Sequence, residues 1–280
     1  MLIVIPAQDG HNLTKLAVAS MNHTVRDHGV SNFEVLIIDN DSEIPYTREE
    51  FGDLRFPLKV LNNRFNTGYY EPLVIARDWY PDQELIGLMH NDMVIYEDAW
   101  NLRLEEAFYF DDNLKLVGFC GSNEVDERGG RGSGTVVNFR GAPGYQPSTT
   151  GLRKRELTPA ACLDSMFMMF TDDAIELLNE DWDRLPLAHF YDRIWPLRLI
   201  EKGFHVATLG VEIDHMGGMT TVGNVRYRDD CIRWLKDQNI PFENPETEMY
   251  LEAERRYFSE FKGRIFPCRI GGDYAYHSAN

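Results

Sequence analysis

Four polar side chains flank apolar runs in this chain: Asp39, Asp92, Asp164 and His215. Carboxylates and imidazoles are the oxygen and nitrogen donors that hold divalent cations. A metal that bridges a diphosphate needs only one to three protein ligands, because phosphate oxygens and water fill its other positions. Asp92 and His215 would suffice. An imidazole in the set moves the expected ion from Mg2+ toward Mn2+, since Mg2+ prefers shells made wholly of oxygen. Each residue also has a plainer reading: His90-Asn91-Asp92 is a polar turn sequence, and His215 is a histidine hydrogen-bonded in a turn.

A sheet has to position these groups. The stretch Glu84 to Tyr96, ELIGLMHNDMVIY, reads as a buried strand from Leu85 to Met89 that runs into His90-Asn91-Asp92, with apolar residues resuming at Met93. Open α/β sheets bind ligands beyond the carboxyl ends of their strands, and parallel strands bring those ends to one rim. Further strands are predicted over Leu2 to Ile5, Phe33 to Ile38, Leu58 to Leu61, Leu114 to Cys120, Asp164 to Phe170, Phe204 to Leu209 and Val211 to Ile213. Helical spacing appears in Leu13, Leu16, Ala17, Met21 and Val25, with Asn12 as N-cap. It reappears from Pro72, over Asp98 to Phe110, after Thr171 as a cap, and over Asp192 to Lys202. That last helix kinks or begins at Pro196 and closes with Gly203 at C′. Strand and helix alternate through the first 120 residues, the pattern of a mostly parallel sheet covered on both faces. The remainder is helical: Asn224 caps one segment with Val225, Ile232 and Leu235 inward. Asn244-Pro245 opens another with Met249, Ala253, Tyr257 and Phe261 inward. The last 15 or so residues read as an extended tail.

Between them, Ser122 to Thr158 has no periodicity and contains the Arg-Gly-rich run Arg128 to Gly134. It lacks GxxxxGK[ST], so it is not a phosphate loop of that kind. It reads as a mobile flap or acceptor-side loop, with a plain linker as the alternative.

Composition narrows the function. The chain has 280 residues and a formal net charge of -17, which excludes non-specific nucleic-acid binding, since that needs a basic footprint. Its four cysteines are far apart and lack metal-finger spacing, as expected of reduced thiols in the cytosol. No run approaches the ~20 apolar residues of a membrane span. A soluble cytoplasmic protein with no transmembrane segment is expected.

The order of these motifs resembles the family 2 type of glycosyltransferase with the GT-A fold, most closely its rhamnosyltransferase-like branch. Ile3-Val4-Ile5-Pro6-Ala7 resembles the opening V-I-P-T/A strand, and Val35 to Ser42 the V-V-D-N-x-S element. Asn66-Thr67-Gly68-Tyr69 resembles N-x-G-[FY], Ala76-Arg77-Asp78 the A-R-N element, and His90-Asn91-Asp92 the DxD slot. Asp164 to Phe170 resembles D-G-x-F-[ML]. Tyr191-Asp192 through Phe204 resembles E-D-x-x-L-x-x-R-x-x-x-x-G-[FY], and Val211 to Gly218 the closing V-x-H-x-x-G. The resemblance covers about residues 2–220. It departs at His90 in the DxD slot, at Ser165 where glycine is usual, and at Tyr191 where an acid is usual.

The resemblance implies an α/β, GT-A architecture. Residues 1–120 form a Rossmann-like nucleotide-sugar-binding half and 121–220 an acceptor-side half with loop 122–158, followed by a helical extension over 221–280. It implies that Pro6, Ala7, Asp39, Asn66, Gly68, Arg77, His90 and Asn91 bind the nucleotide-sugar, with Asp39 on the base and Arg77 near the diphosphate. Asp164 and Ser165 would face the acceptor, Asp92 and His215 hold Mn2+ or Mg2+, and Asp192 serve as catalytic base, with an N-cap as its plainer role. Arg198 would brace the site. The implied reaction moves a sugar, with inversion, from a nucleoside-diphosphate-sugar to the hydroxyl of a glycan, lipid-linked sugar, protein or modified nucleobase. A non-catalytic nucleotide-sugar or carbohydrate-binding protein on the same fold is the alternative. A nucleotidyltransferase would want a basic, Gly-rich loop after the first strand, and Pro6 to His11 has one glycine and no Lys or Arg.

Overall fold

Leu2-Ile3-Val4-Ile5 offers apolar, mostly β-branched side chains on both faces, so it forms a strand only where both faces are covered. The computed structural model describes residues 1–26, 33–131, 135–136, 156–178, 189–216 and 225–270. In it this segment is a central strand, fully buried. The first half runs β1 (Leu2–Ala7), α1 (His11–Thr24), β2 (Glu34–Asn40), β3 (Leu58–Asn63), α2 (Tyr70–Trp79), β4 (Leu85–Met89), β5 (Met93–Ile95), α3 (Trp100–Phe110) and β6 (Leu114–Gly118). There follow β7 (Gly121–Ser122), β8 (Glu124–Val125), β9 (Thr135–Val136), β10 (Leu157–Pro159), β11 (Cys162–Leu163), β12 (Phe167–Thr171) and α4 (Asp172–Leu177). The chain continues with α5 (Tyr191–Glu201), β13 (His205–Leu209), β14 (Ile213–His215), α6 (Val225–Asp237), α7 (Pro245–Phe261) and β15 (Cys268–Arg269).

The main sheet has eight strands in the order β10-β13-β6-β12-β4-β1-β2-β3. Strands β1 to β4 are mutually parallel where they pair, as are β6 and β13. β12 runs antiparallel between β4 and β6, and β10 antiparallel to β13 on the edge. The period of two sends Ile3, Ile5, Val35 and Ile37 to one core, with residues of α1 and α3, and Leu2, Val4, Leu36 and Ile38 to the other. The second core takes in residues of α2, α5 and α7. Each such branched side chain, fully buried, contributes about 1.5–3 kcal/mol. No helix among the described residues is long and apolar enough to cross a membrane.

Several local expectations change. α1 begins at His11, with Gly10 at φ 67 in the N-cap position rather than Asn12. Leu16 is exposed, while Thr14, Ala17, Val18 and Met21 turn inward. Thr171 makes no side-chain cap and instead donates its hydroxyl to Asp173. α5 starts before Pro196 and runs through it, so the proline neither opens nor ends the helix. Its end does follow the sequence: Gly203 has φ 88, and the Gly203 and Phe204 N–H groups bond back to Ile200 and Leu199, a Schellman closure. Asp214 and His215 belong to strand β14 rather than to a following turn. On α6 the inward stripe is Tyr227, Cys231 and Leu235, spaced by four, which leaves Val225 exposed. α7 matches expectation, with Asn244 accepting from the Thr247 N–H at 3.2 Å and Met249, Ala253, Tyr257 and Phe261 buried. Asn224, Gly217, Gly218, most of the loop 122–158 and the tail from 271 lie outside the described residues.

Candidate active site

At the end of β4 the chain leaves the main sheet through His90-Asn91-Asp92 and enters β5, which pairs with β14. His215 lies opposite Met93, and the Met216 N–H donates to the Asp92 carbonyl at 3.1 Å. This small two-stranded ladder carries His215 to Asp92. His215 Nε2 is 3.3 Å from Asp92 Oδ1, and His90 Nδ1 is 3.9 Å from the same oxygen. Ligand atoms of His90, Asp92 and His215 all lie within 4.8 Å of one another.

The alignment of His215 Nε2 and Asp92 Oδ1 makes no hydrogen bond, so both atoms are buried without one. The ion pair leaves the hydrogen-bonding capacity of both atoms unfilled, and buried polar atoms usually have a hydrogen-bond partner. Two imidazole nitrogens and a carboxylate oxygen match a divalent transition metal better than Mg2+. The residues therefore fit a divalent cation. His90 Nε2 stands 3.2 Å from the Tyr191 hydroxyl. With Nε2 as the donor, Nδ1 presents a lone pair toward Asp92, the tautomer a metal ligand needs. Burial holds His90 mainly neutral, with its pKa lowered to about 4. Burial also opposes charge on Asp92 and His215, but each outweighs that penalty for the other: the carboxyl is lowered and the imidazole raised.

The cluster opens into a cleft of about 300 Å³ at the rim where β1, β2 and β4 end. Pro6, Ala7, Asn66, Gly68, His90, Asn91, Asp92, Ser165 and His215, all anticipated, line it. Gly68 is held by Asn40 Nδ2 donating to its carbonyl and by its own N–H donating to Asn66 Oδ1. Tyr69 stacks on Tyr191 at 4.8 Å between ring centres and on His90 at 5.6 Å, giving one wall a flat aromatic surface.

Other anticipated residues stand elsewhere. Asp39 is buried beneath the rim, where its two oxygens accept the Ser42 and Tyr46 N–H groups at 2.9 and 3.0 Å, so it shapes the loop after β2. Arg77 is in the last turn of α2, about 10 Å along the helix from its start at the rim, and pairs with Asp78; the fold does not bring it to the cleft. Arg198 is turned to Glu201 and Glu260. Asp164 and Asp192 come together through a residue not anticipated, Arg131 of the Arg-Gly run, which donates to both at 2.7 and 3.0 Å. Burial works against charge on Asp164, yet Arg131 and His215 lower its pKa overall; for Asp192 burial prevails and raises it. Asp192 does not cap α5, whose N-cap position is Phe190.

The sequence reading also missed Gln8, His189, Tyr227 and Asp230 in the cleft lining. One signal was available for Asp230: an acid between Tyr227 and Cys231 on the apolar stripe of α6 is a polar group headed inward. Nothing in the glycine-rich run marked Arg131 as the partner of two carboxylates.

No protein-family model matches the chain, and no curated protein matches it. Solved structures do. A structure of GalNAc-T7 with UDP, GalNAc and Mn2+ superposes with a TM-score of 0.57 at 12% identity, over 84% of this chain and 48% of that one. The mannosyltransferase PcManGT from Pyrobaculum calidifontis, in complex with GDP-Man and Mn2+, superposes with a TM-score of 0.50 at 12% identity, over 93% of this chain and 70% of that one. At such identities the likeness establishes the fold, and the fold is GT-A.

Proposed function

We propose that this chain is a metal-dependent glycosyltransferase that moves a sugar from a nucleoside-diphosphate-sugar to an acceptor hydroxyl, with inversion at the anomeric carbon. The observation that carries the reading is the His90, Asp92 and His215 cluster at the strand-end rim of a GT-A sheet, in which Asp92 Oδ1 and His215 Nε2 face each other at 3.3 Å without a well-aligned hydrogen bond. His90, Asp92 and His215 would hold the cation, which when bound offsets negative charge developing on the diphosphate leaving group. The motif order supports the rhamnosyltransferase-like branch.

The chain's own groups do the rest. Asn66 and Gly68 hold the rim against which the donor lies, and the Tyr69–Tyr191 stack offers a flat apolar face to a sugar ring or base. Asp192, beside the cleft lining rather than in it and paired with Arg131, would take the proton of the attacking hydroxyl once Arg131 releases it; burial raises its pKa, which suits a base. A second reading, a nucleotide-sugar-binding protein without turnover, is favoured by Arg131, which already engages Asp192.

Thermal denaturation with Mn2+ against a panel of nucleotide-sugars tests binding: a donor at about 100 times its Kd adds roughly 2.7 kcal/mol of stability. Release of nucleoside diphosphate from that donor, abolished in Asp92→Asn with an unchanged fold, establishes the enzyme. Saturable binding with no release from any donor, with or without acceptors, leaves the binding protein; no binding of any donor overturns both.

A further inference from the structure

Helix α6 belongs to the C-terminal extension, yet it forms one wall of the cleft. Arg226 reaches toward Asp9 after β1 (3.8 Å) and Asp41 after β2 (3.9 Å), so the first turn of α6 is held over both strand ends. One turn further, Asp230 points into the cleft lining and is only 5% exposed. Its Oδ2 accepts from Asn66 Nδ2 at 3.0 Å, and its Oδ1 faces Arg233 at 3.4 Å. A carboxylate has about four lone-pair positions, so Asp230 can accept further hydrogen bonds. Asn66 Nδ2 also reaches Gln8 Oε1 at 3.5 Å, and the Gln8 amide donates to Asp230 in turn, so the three side chains form one network at the cleft wall.

The cleft lining therefore carries two kinds of group. His90, Asp92 and His215 are suited to a cation and through it to a diphosphate. Asp230 is a carboxylate, which attracts N–H and O–H donors and repels phosphate. A nucleoside diphosphate carries the matching pair, anionic at the diphosphate and rich in hydrogen-bond donors at ribose and base. Resting on the function proposed above, we infer that Asp230 of α6 is a specificity-determining residue that accepts a hydrogen bond from the nucleoside end of the donor. The C-terminal extension thereby takes part in choosing the donor nucleotide. The shared chemistry is a donor group, supplied either by a ribose hydroxyl or by a base N–H.

Titration calorimetry with Mn2+ present tests this on wild type, Asp230→Asn and Asp230→Ala, using nucleoside diphosphates of each base, a 2′-deoxy analogue and inorganic pyrophosphate. Asp230→Asn keeps shape and an oxygen for Asn66, so it guards against misfolding, which unchanged melting verifies. A hydrogen bond to a charged acceptor predicts roughly tenfold to hundredfold weaker binding of the preferred nucleoside diphosphate in both variants, with pyrophosphate unchanged. If the 2′-deoxy analogue shows the same deficit in wild type and no further loss in Asp230→Asn, the ribose is the partner. If the deficit instead tracks the base, a base N–H is the partner. Equal affinities of wild type and folded variants for every nucleoside diphosphate would overturn the inference and leave the glycosyltransferase reading standing. Failure of wild type to bind any nucleoside diphosphate would overturn both.

Discussion

Asp92 is the residue on which the site's chemistry turns, because its carboxylate stands nearest the two histidines, 3.3 Å from His215 and 3.9 Å from His90. Replacing it with asparagine keeps the volume and removes the charge. Asp92→Asn is expected to weaken Mn2+ binding by about 100-fold or more, at or beyond the upper end of what loss of an outer partner costs, and to lower the metal-free urea midpoint because it leaves His215 without its ion-pair partner; calorimetry and denaturation measure the two effects. Glu50 gives a prediction away from the cleft. Burial opposes its charge, but His11, the Thr47 N–H and Lys15 together lower its pKa from 4.5 to about 2. A depressed carboxyl stabilises the fold fully above pH 4.5 and loses that contribution as pH falls toward 2. Glu50→Gln should therefore be less stable than wild type near neutrality, and the difference in urea midpoint should shrink between pH 4.5 and 2. At this scale the sequence showed which side chains could hold a metal, since Asp92 and His215 flank apolar runs. It placed His90 among the contacts to the nucleotide-sugar and left open whether it touches metal or ribose. It also could not show the ion pairs, since Arg131 lies 33 positions from Asp164 and 61 from Asp192.

The elements follow from periodicity where burial is two-sided. β4 matches its predicted bounds and β1 and β2 their predicted cores, because a strand covered on both faces has an unbroken apolar run; β3, on the sheet edge with Lys59 exposed, was found from Leu58, Val60 and Leu61 alone. Amphipathic helices were read less well: the stripe of α6 contains Tyr227 and Asp230, polar-tipped residues that a hydrophobic template passes over, and Val225 falls outside it. The β5–β14 ladder was legible only as two short apolar runs, since no local pattern says that segments so far apart pair. Close packing between strands makes two glycines informative. A Cβ on Gly87 would meet the flexible end of Met169 at 2.7 Å, whereas on Gly121 it would meet the Cys162 carbonyl oxygen at 2.4 Å. A methionine side chain yields and a backbone does not, so Gly87→Ala should destabilise by about 1 kcal/mol and Gly121→Ala by about 3 kcal/mol or more. Urea denaturation of the two variants side by side checks the order; equal losses would contradict it.

Across the whole molecule, the net charge of -17 opposes an anionic donor while the strand-end rim concentrates the groups that would receive it. Without a cation, long-range repulsion slows encounter, and salt screens it. Raising ionic strength from about 0.01 M to 0.15 M shortens the Debye length from about 30 to 8 Å and should speed metal-free nucleoside diphosphate association several-fold, measured by stopped-flow fluorescence. A rate that falls with salt would point to a local basic approach path instead. The sheet's parallel half was legible because strand and helix alternate; the closing of the cleft by α6 was not, because it depends on where a C-terminal helix docks.

The central claim is that one divalent cation is held by His90, Asp92 and His215. Anomalous diffraction at the manganese edge, from crystals grown with Mn2+ and a nucleoside diphosphate, tests it most directly. The account predicts a single strong peak bonded to Nδ1 of His90, a carboxylate oxygen of Asp92 and Nε2 of His215, absent in Asp92→Asn crystals. A peak elsewhere, or none at saturating Mn2+ with the nucleotide bound, would contradict it.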